Sequence, residues 1–362
     1  MNRTELGAIA ATLVLASAAI LLGGCAAPTS TAGSGVPNAY LSVRDDAAVR
    51  ATLRRDAIEY LRALANDESP LLRANAIEAL QSVPMIGEQL AREGLVDPNP
   101  GVRFVATMSI AELGGGSSPL LQSLLRDPDP SVQAAAILAL RNHGSQVNLS
   151  SLAEMLRSGD LTTRGNAALV LGEIGDPSAI PMLREALTYD LPTVSMQRVR
   201  VVQLQIAEAL IKLGDSSALE RVRVHLVQDD NSEGEVRALA AQITGRVGDE
   251  RSRDLLVSLV ARWRQYRVSA EVRLAAMAAL AQLGEPPSVT GPLEYFEPAY
   301  RDAPAAIRAQ AVYTLGEIGG PDAWAHLARI FRESGEEMVR VHAAAAIVAS
   351  VPPADGESVS GL

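Results

Sequence analysis

An aliphatic residue followed by Arg or Gln recurs along this chain, and apolar residues and a glycine follow it at fixed distances. We call each such pair a repeat motif and its second member the motif residue. The nine motif residues are Arg73, Arg103, Gln133, Arg164, Gln203, Arg237, Arg273, Arg308 and Arg340, and Val49-Arg50 is a degenerate tenth pair. Positions 3, 7 and 10 after the motif residue are mostly apolar, and they share one face of an α-helix. A glycine at position 11 then supplies the left-handed residue that ends a helix, except after Arg73, where Pro84 stands there, and after Arg340, where the pattern fades.

A second apolar run follows each glycine, as at residues 120–125, 180–187 and 255–260. Ser69-Pro70, Asn99-Pro100 and Asp129-Pro130 precede three motifs and are typical of helix starts. Each unit is therefore predicted to be helix, turn, helix, and stacked units bury the apolar faces that one unit leaves exposed. Because aromatic residues make up only 3% of the chain, the core is predicted to consist of Ala, Leu, Val and Ile.

The pattern Val-Arg, Ala-Ala, Leu-Gly-Glu-Ile-Gly-Asp resembles HEAT-like repeats, particularly the variety named after phycobilisome lyases. The match is best at residues 163–176 and 307–320, and the resemblance covers roughly residues 45–350. It implies an all-α fold, a right-handed α-solenoid of about nine HEAT-like helix–turn–helix repeats. It says little about function, because one fold serves many functions.

The first residues predict export and a lipid anchor. Residues 7–22 are apolar and too short to span a bilayer, which needs about 20 residues, but they suit a signal peptide. Leu22-Gly23-Gly24-Cys25 resembles the lipobox of bacterial lipoproteins, which implies lipid transfer to Cys25 and cleavage between Gly24 and Cys25. Cys25 is the one cysteine of the chain, so an internal disulfide is excluded. The alternatives are an ordinary signal peptide that contains a cysteine, and an uncleaved anchor.

These features divide the chain into a signal peptide at 1–24, a flexible tether at 25–40, a repeat solenoid at 41–351 and a disordered tail at 352–362. Residue 26 is Ala rather than the Asp that often retains lipoproteins in the inner membrane, which favours the outer membrane in a Gram-negative host. Three irregularities stand out. The second helix at residues 253–268 looks long, the connection at 285–304 holds five prolines, and the last repeat has no second helix after residue 351.

The sequence offers no catalytic constellation. None of the four histidines is followed by Glu, and HExxH, P-loop and dinucleotide-binding motifs are missing. His326 and His342 could approach each other in adjacent repeats, but two ordinary histidines are the favoured interpretation over a metal pair. Gly114-Gly115-Gly116 is interpreted as a turn rather than a phosphate cradle. We therefore expect no catalytic residues, no metal and no cofactor.

Two sets of residues are candidates for surface contacts. The motif arginines could form a row with Asp97, Asp127 and Asp160, and inter-repeat ion pairs are favoured over an anion-binding strip. Eight of the twelve aromatic residues lie after residue 260, and aromatic residues and Arg are enriched where proteins bind partners. The candidate partner-binding residues are Trp263, Tyr266, Arg262, Arg267, Tyr295 and Tyr300, with packing of the proline-rich connection as the alternative. The last helix, residues 339–351, lacks a visible cap and could also receive a partner.

The sequence thus favours a membrane-anchored scaffold that binds another protein, of unknown identity, in the bacterial cell envelope. A bilin-lyase-like enzyme and a purely structural envelope protein are the alternatives. A HEAT-like DNA glycosylase is disfavoured, and no nucleic acid partner is expected, because the net charge is −10 and phosphate backbones attract basic proteins.

Overall fold

The computed structural model describes residues 37–115, 118–189, 195–227, 234–265 and 267–353, and within these ranges the protein is all-α, with no strand. Its nineteen helices are α1 (Asn38–Asp45), α2 (Ala47–Leu64), α3 (Pro70–Ala79), α4 (Pro84–Gly94), α5 (Pro100–Leu113), α6 (Ser118–Leu124), α7 (Pro130–Asn142), α8 (Ser150–Met155), α9 (Leu161–Ile174), α10 (Ile180–Ala186), α11 (Met196–Lys212), α12 (Leu219–Val227), α13 (Gly234–Arg246), α14 (Arg253–Ala261), α15 (Ala270–Gln282), α16 (Thr290–Leu293), α17 (Ala305–Ile318), α18 (Gly320–Glu333) and α19 (Glu337–Ser350).

Each of the nine motif residues lies in an odd-numbered helix from α3 to α19, and we call these the motif helices. Their predicted starts are confirmed at two positions, since the Asn99 side chain accepts the Gly101 and Val102 N–H groups, and Asp129 accepts those of Ser131 and Val132. Ser69 differs, because its side chain makes no capping bond. The predicted stop signals are also present: Gly175 has a φ of 69° and Gly214 one of 93°, values that glycine adopts without steric cost.

The structure divides into two compact units, residues 88–279 and a second unit that combines 1–87 with 280–362. In the unit of residues 88–279, motif helices α5, α7, α9, α11 and α13 pack in sequence, and α6, α8, α10 and α12 each pack against the next motif helix. The predicted small-residue core is confirmed: Ala134, Ala135, Ala136 and Ala139 on α7 are fully buried. Small side chains let neighbouring helix backbones approach closely, and this stacking is that of an all-α HEAT-repeat solenoid.

The other unit joins the two ends of the described chain, and we call it the end-joining unit. Motif helices α17 and α19 of the C-terminal segment pack side by side. Motif helix α3, from the N-terminal segment, packs on α19. Helix α2 contacts both α19 and α3, while α1 packs on α18. The N-terminal helices therefore continue the C-terminal repeats in space.

Helix α2 takes the place of the second helix that the last repeat lacks. The Arg50 guanidinium lies 5.5 Å from the Trp324 ring centroid, and the Tyr60 and Phe331 rings are 5.5 Å apart. The earlier residue of α2 thus contacts the earlier residue of α18, and the later contacts the later. The two helices therefore run parallel, as second helices of successive repeats do. The hypothesis that the last helix is unpaired and open to a partner is wrong, because α19 is covered by α2.

Other boundaries also differ from those predicted. Helix α1 begins at Asn38, inside the stretch predicted as tether. The supposedly long second helix ends at Ala261, because residues 262–265 form a turn. The proline-rich connection contains the short α16 and two 3₁₀ turns, at Glu294–Phe296 and Pro298–Tyr300. Residues 1–36 and 354–362, with Gly24, Cys25 and most of the predicted tail, lie outside the described residues.

None of the described helices is long and apolar enough to cross a membrane.

Candidate partner-binding surfaces

Trp263 is half-buried, and two arginines hold it. The Arg273 guanidinium lies 4.3 Å from its ring centroid and that of Arg264 lies 5.0 Å away, both within the range of cation–π attraction. The Trp263 carbonyl also accepts the Val268 N–H at 2.9 Å. Trp263 therefore acts as the foundation of the turn after α14, rather than as an aromatic anchor that projects into solvent.

The turn itself presents positive charge. Arg262, Arg264 and Arg267 are exposed, and we call these three side chains the arginine turn. Arg267 has a φ of 50°, the one positive φ outside glycine among the described residues. Such a conformation is strained for a residue with a Cβ, and strained residues cluster where function needs them. Tyr266, another candidate partner-binding residue, lies outside the described residues.

Tyr295 and Tyr300 have a different setting, in the end-joining unit. Tyr295 is only 3% exposed, and its ring centroid lies 5.3 Å from that of Tyr300 at an interplanar angle of 57°. The ring pair packs the two 3₁₀ turns of the proline-rich connection. The expectation that Tyr295 belongs to a partner-binding surface is therefore wrong, because a buried ring is not available to a partner.

Two of the eight C-terminal aromatic residues, Trp324 and Phe331, lie at the junction between the chain ends. Trp324 lies beneath Arg50, and Phe331 packs edge-on against Tyr60 at 69°. Tyr60 in turn lies beneath the motif residue Arg340, whose guanidinium is 4.8 Å from the ring centroid. These aromatic residues therefore join α2 to α18 and α19.

The motif arginines are structural, but carbonyl oxygens are their recurrent partners. Arg73 donates to the Asp67 carbonyl at 2.8 Å, Arg103 to that of Asp97 at 2.8 Å, and Arg164 to that of Ser158 at 2.8 Å. Gln133 donates equivalently to the Asp127 carbonyl at 2.6 Å, and even Arg50 of the degenerate pair reaches the Arg44 carbonyl at 3.0 Å. Each side chain reaches back six residues and ties the preceding segment to its own helix.

The motif residues Arg103 and Arg308 form ion pairs between repeats. Arg103 pairs with the Asp127 carboxylate at 2.8 Å, and Arg308 Nε donates to Glu336 at 2.9 Å. Asp160 was expected in this row, but its carboxylate caps α9 by accepting the Thr163 N–H at 2.7 Å. The ion-pair interpretation is thus correct for Asp127 and wrong for Asp160.

A set of carboxylates that the sequence analysis did not single out follows the stop glycines. Asp215 accepts from Arg184 Nε at 2.8 Å, and Asp249 accepts from Arg223 Nη2 at 2.6 Å. The Arg184 hydrogen bond lowers the pKa of Asp215 to about 2. The recurrent Gly-Asp dipeptide was the available signal: each Asp links its own turn to the second helix of the preceding repeat.

Polar residues nine positions after the motif residue link the motif helices of successive repeats. Lys212 pairs with Glu173 at 2.6 Å, and Arg246 pairs with the buried Glu208 at 2.7 Å. In the end-joining unit, Gln282 donates to Glu317 at 2.9 Å. Burial raises the pKa of Glu317. Because these side chains form ion pairs and hydrogen bonds with one another, they hold the repeats together.

The histidines show no shared site in the described residues. His326 is 6% exposed, and burial, reinforced by Arg329 and Arg44, lowers its pKa to about 4. His342 Nδ1 bonds with the carbonyl of Met338, in its own helix, at 2.8 Å. The Gly115 N–H donates to His143 Nε2 at 3.1 Å. This backbone amide of the glycine turn therefore already has a side-chain partner. Among the described residues, no group of three or more His, Cys, Asp or Glu side chains could hold a metal ion.

The described helices and their contacts define an all-α repeat protein. Residues 117–199 and 264–348 match the family model of HEAT repeats, which supports a HEAT-like repeat protein. Among solved structures, the chain is similar to an engineered protein from a structural genomics consortium, with 17% identity over 85% of this chain and 96% of that chain, at a TM-score of 0.30. A search of curated proteins gave no significant match.

Proposed function

We propose that this protein is a bacterial lipoprotein that is anchored through Cys25 and acts as a protein–protein interaction scaffold in the cell envelope. The observation that carries the proposal is Leu22-Gly23-Gly24-Cys25 at the end of an apolar stretch, followed by the HEAT-like repeats. Two or three acyl chains on one cysteine anchor a protein stably, since each buried CH₂ contributes about 0.8 kcal/mol. The residue after Cys25 is Ala, which favours the outer membrane in a Gram-negative host.

The arginine turn is the surface that we propose for partner contact. Its three arginine residues are exposed in a chain whose net charge is −10, and the Arg264 guanidinium lies over the Trp263 ring. Arg267 keeps a strained backbone although glycine would fit there. The chemistry suits an acidic surface of another envelope protein, since guanidinium groups bind carboxylates in bidentate geometry.

The test is capture of crosslinked partners from intact cells, with the native chain and with Arg264→Ala/Arg267→Ala. The matched control is Arg221→Ala/Arg251→Ala, which removes two exposed arginines elsewhere in the same unit. We expect one dominant partner, present with the control and lost with the arginine-turn variant. Equal capture by all three proteins would contradict the assignment of the turn, and no enriched partner would favour a purely structural envelope protein.

Membrane attachment is tested separately with Cys25→Ala. We expect the native chain to incorporate an alkyne-labelled fatty acid and to enter the membrane fraction, and the variant to do neither. Label in the variant, or a native chain that carries no label, would contradict the lipoprotein assignment.

A further inference from the structure

A groove of about 380 Å³ lies within the end-joining unit, between α1, α2 and α18. Its lining consists of Ala39, Tyr40 and Val43 from α1, Ala48, Val49, Thr52 and Leu53 from α2, and Ala328 and Arg332 from α18. The floor is apolar and packed, since Val43, Leu53 and Ala328 are each at most 4% exposed. Ala39, Ala48 and Thr52 are exposed at the rim, and their small side chains keep the groove open.

The polar side chains at the groove already have partners within the chain. The Arg332 guanidinium pairs with Asp56. The Tyr40 hydroxyl forms a hydrogen bond with Glu333, and burial, reinforced by this bond, raises the pKa of Tyr40. Thr52 donates its hydroxyl to the Ala48 carbonyl at 3.0 Å. The groove thus offers mainly alkyl surface, and it suits an unbranched hydrocarbon chain better than a charged peptide, whose buried polar groups would need partners.

A hydrocarbon source lies close along the same chain. Cys25, the proposed lipid site, precedes Ala39 in the groove wall by fourteen residues. A link of that length spans at most about 45–50 Å when extended and has a root-mean-square span of about 20 Å when flexible. A ligand on such a link competes at a high effective concentration with any ligand free in solution.

We propose that this groove shelters one acyl chain of the lipid on Cys25 whenever the protein is not inserted in a bilayer. The inference rests on the proposed function, because it requires the lipid that this function assigns to Cys25. The groove volume lies at the lower end of the range for small-molecule sites, which fits one chain and leaves the remaining chains outside. In the membrane-bound protein the chain returns to the bilayer and the groove is empty.

The test uses a dansyl-labelled undecanoic acid as the probe and the mature chain, residues 25–362. We expect the Cys25→Ser chain to bind one probe at micromolar concentration. Thr52→Trp added to that chain fills the groove from the rim and should weaken probe binding at least tenfold. Glu59→Trp, an exposed position of the same helix outside the groove lining, is the matched control and should change nothing. Thermal unfolding checks that both variants fold, and Ala48→Trp replaces Thr52→Trp if the latter does not.

Probe binding by the lipid-modified chain, measured in detergent-free solution, shows whether its own acyl chain occupies the groove. We expect the lipid-modified chain to bind the probe at least tenfold more weakly than the Cys25→Ser chain, because its own acyl chain fills the groove. Equal probe binding by the two proteins, no binding by the Cys25→Ser chain, or binding that groove filling leaves unchanged would each overturn the proposal. Intact mass shows independently whether Cys25 carries lipid, so failure of the groove proposal is distinguishable from failure of the lipoprotein assignment.

Discussion

Tyr60 packs edge-on against Phe331, with ring centroids 5.5 Å apart, although the two residues lie near opposite ends of the described chain. Phe331 is 4% exposed, and Arg340 covers the other ring at 4.8 Å. The pair holds α2, from the N-terminal segment, against α18 of the last helix pairs. Helix α2, from the N-terminal segment, therefore packs against the last repeat in place of its missing second helix.

This junction predicts a coupling between two distant positions in sequence. We expect Phe331→Ala to lower the free energy of unfolding by about 3–5 kcal/mol, and Tyr60→Ala to lower it by less because Tyr60 is half-buried. The double variant should show a coupling of about 1 kcal/mol, measured by urea unfolding. Phe104→Ala in the other unit is the control, and its effect should add to that of Phe331→Ala. Additivity between Tyr60 and Phe331 would show that the two ends do not pack together.

The carbonyl-binding role of the motif residue predicts that Gln can partly replace Arg. Arg164, 4% exposed, donates twice to the Ser158 carbonyl, and Gln133 makes the equivalent bond in its repeat. Arg164→Ala should cost about 1–3 kcal/mol, because the part-buried Ser158 carbonyl loses its donor, and Arg164→Gln should cost about half as much. Urea midpoints measure both. Identical losses in the two variants would contradict the carbonyl-binding role.

His326 predicts a loss of stability in acid. Burial and the nearby Arg329 and Arg44 lower its native pKa from 6.5 to about 4, so the unfolded chain takes up a proton at a higher pH than the native one. Its contribution is complete above pH 6.5 and is lost as the pH falls towards 4, by about 2–3 kcal/mol. His326→Leu should remove this part of the pH dependence. If unfolding of the variant and the native chain depends equally on pH between 7 and 4, the account of His326 is wrong.

The positive φ of Arg267 predicts that replacing this residue by glycine raises the stability of the fold and weakens partner binding. Because its φ is 50°, Arg267→Gly should raise the free energy of unfolding by about 0.5–1 kcal/mol while it removes a charge from the arginine turn. Partner capture should fall in the same variant. A variant that is less stable than the native chain would show that Arg267 is not strained, and one that is more stable but captures the partner equally well would remove Arg267 from the proposed surface.

The local features of the fold could be predicted from the sequence, because the repeat motif, the N-cap residues and the stop glycines act within one helix. The glycines at 175 and 214, for example, have the positive φ values that their positions after apolar runs predict. The packing of α2 against α19 could not be predicted, since helical periodicity specifies which face is apolar but not which distant helix covers it. For the same reason, the aromatic enrichment suggested a partner surface, whereas Trp324 and Phe331 pack against α2.

The candidate site was only partly predictable. Trp263 and its neighbouring arginines were found from composition alone, but the support of Trp263 by Arg273 depends on a turn whose geometry the sequence does not encode in any simple pattern. The carboxylates Asp215 and Asp249 were overlooked because a Gly-Asp pair reads as an ordinary turn, while their ion pairs reach into the preceding repeat.

Intact mass spectrometry of the protein extracted from host membranes tests most directly the proposal that a lipid on Cys25 joins the HEAT-like repeats to a membrane. We expect a chain that begins at Cys25 and carries a diacylglycerol on that cysteine, with or without a further acyl group on the new amine. A chain that begins at Met1, or one cleaved at another residue with no lipid on Cys25, would contradict it.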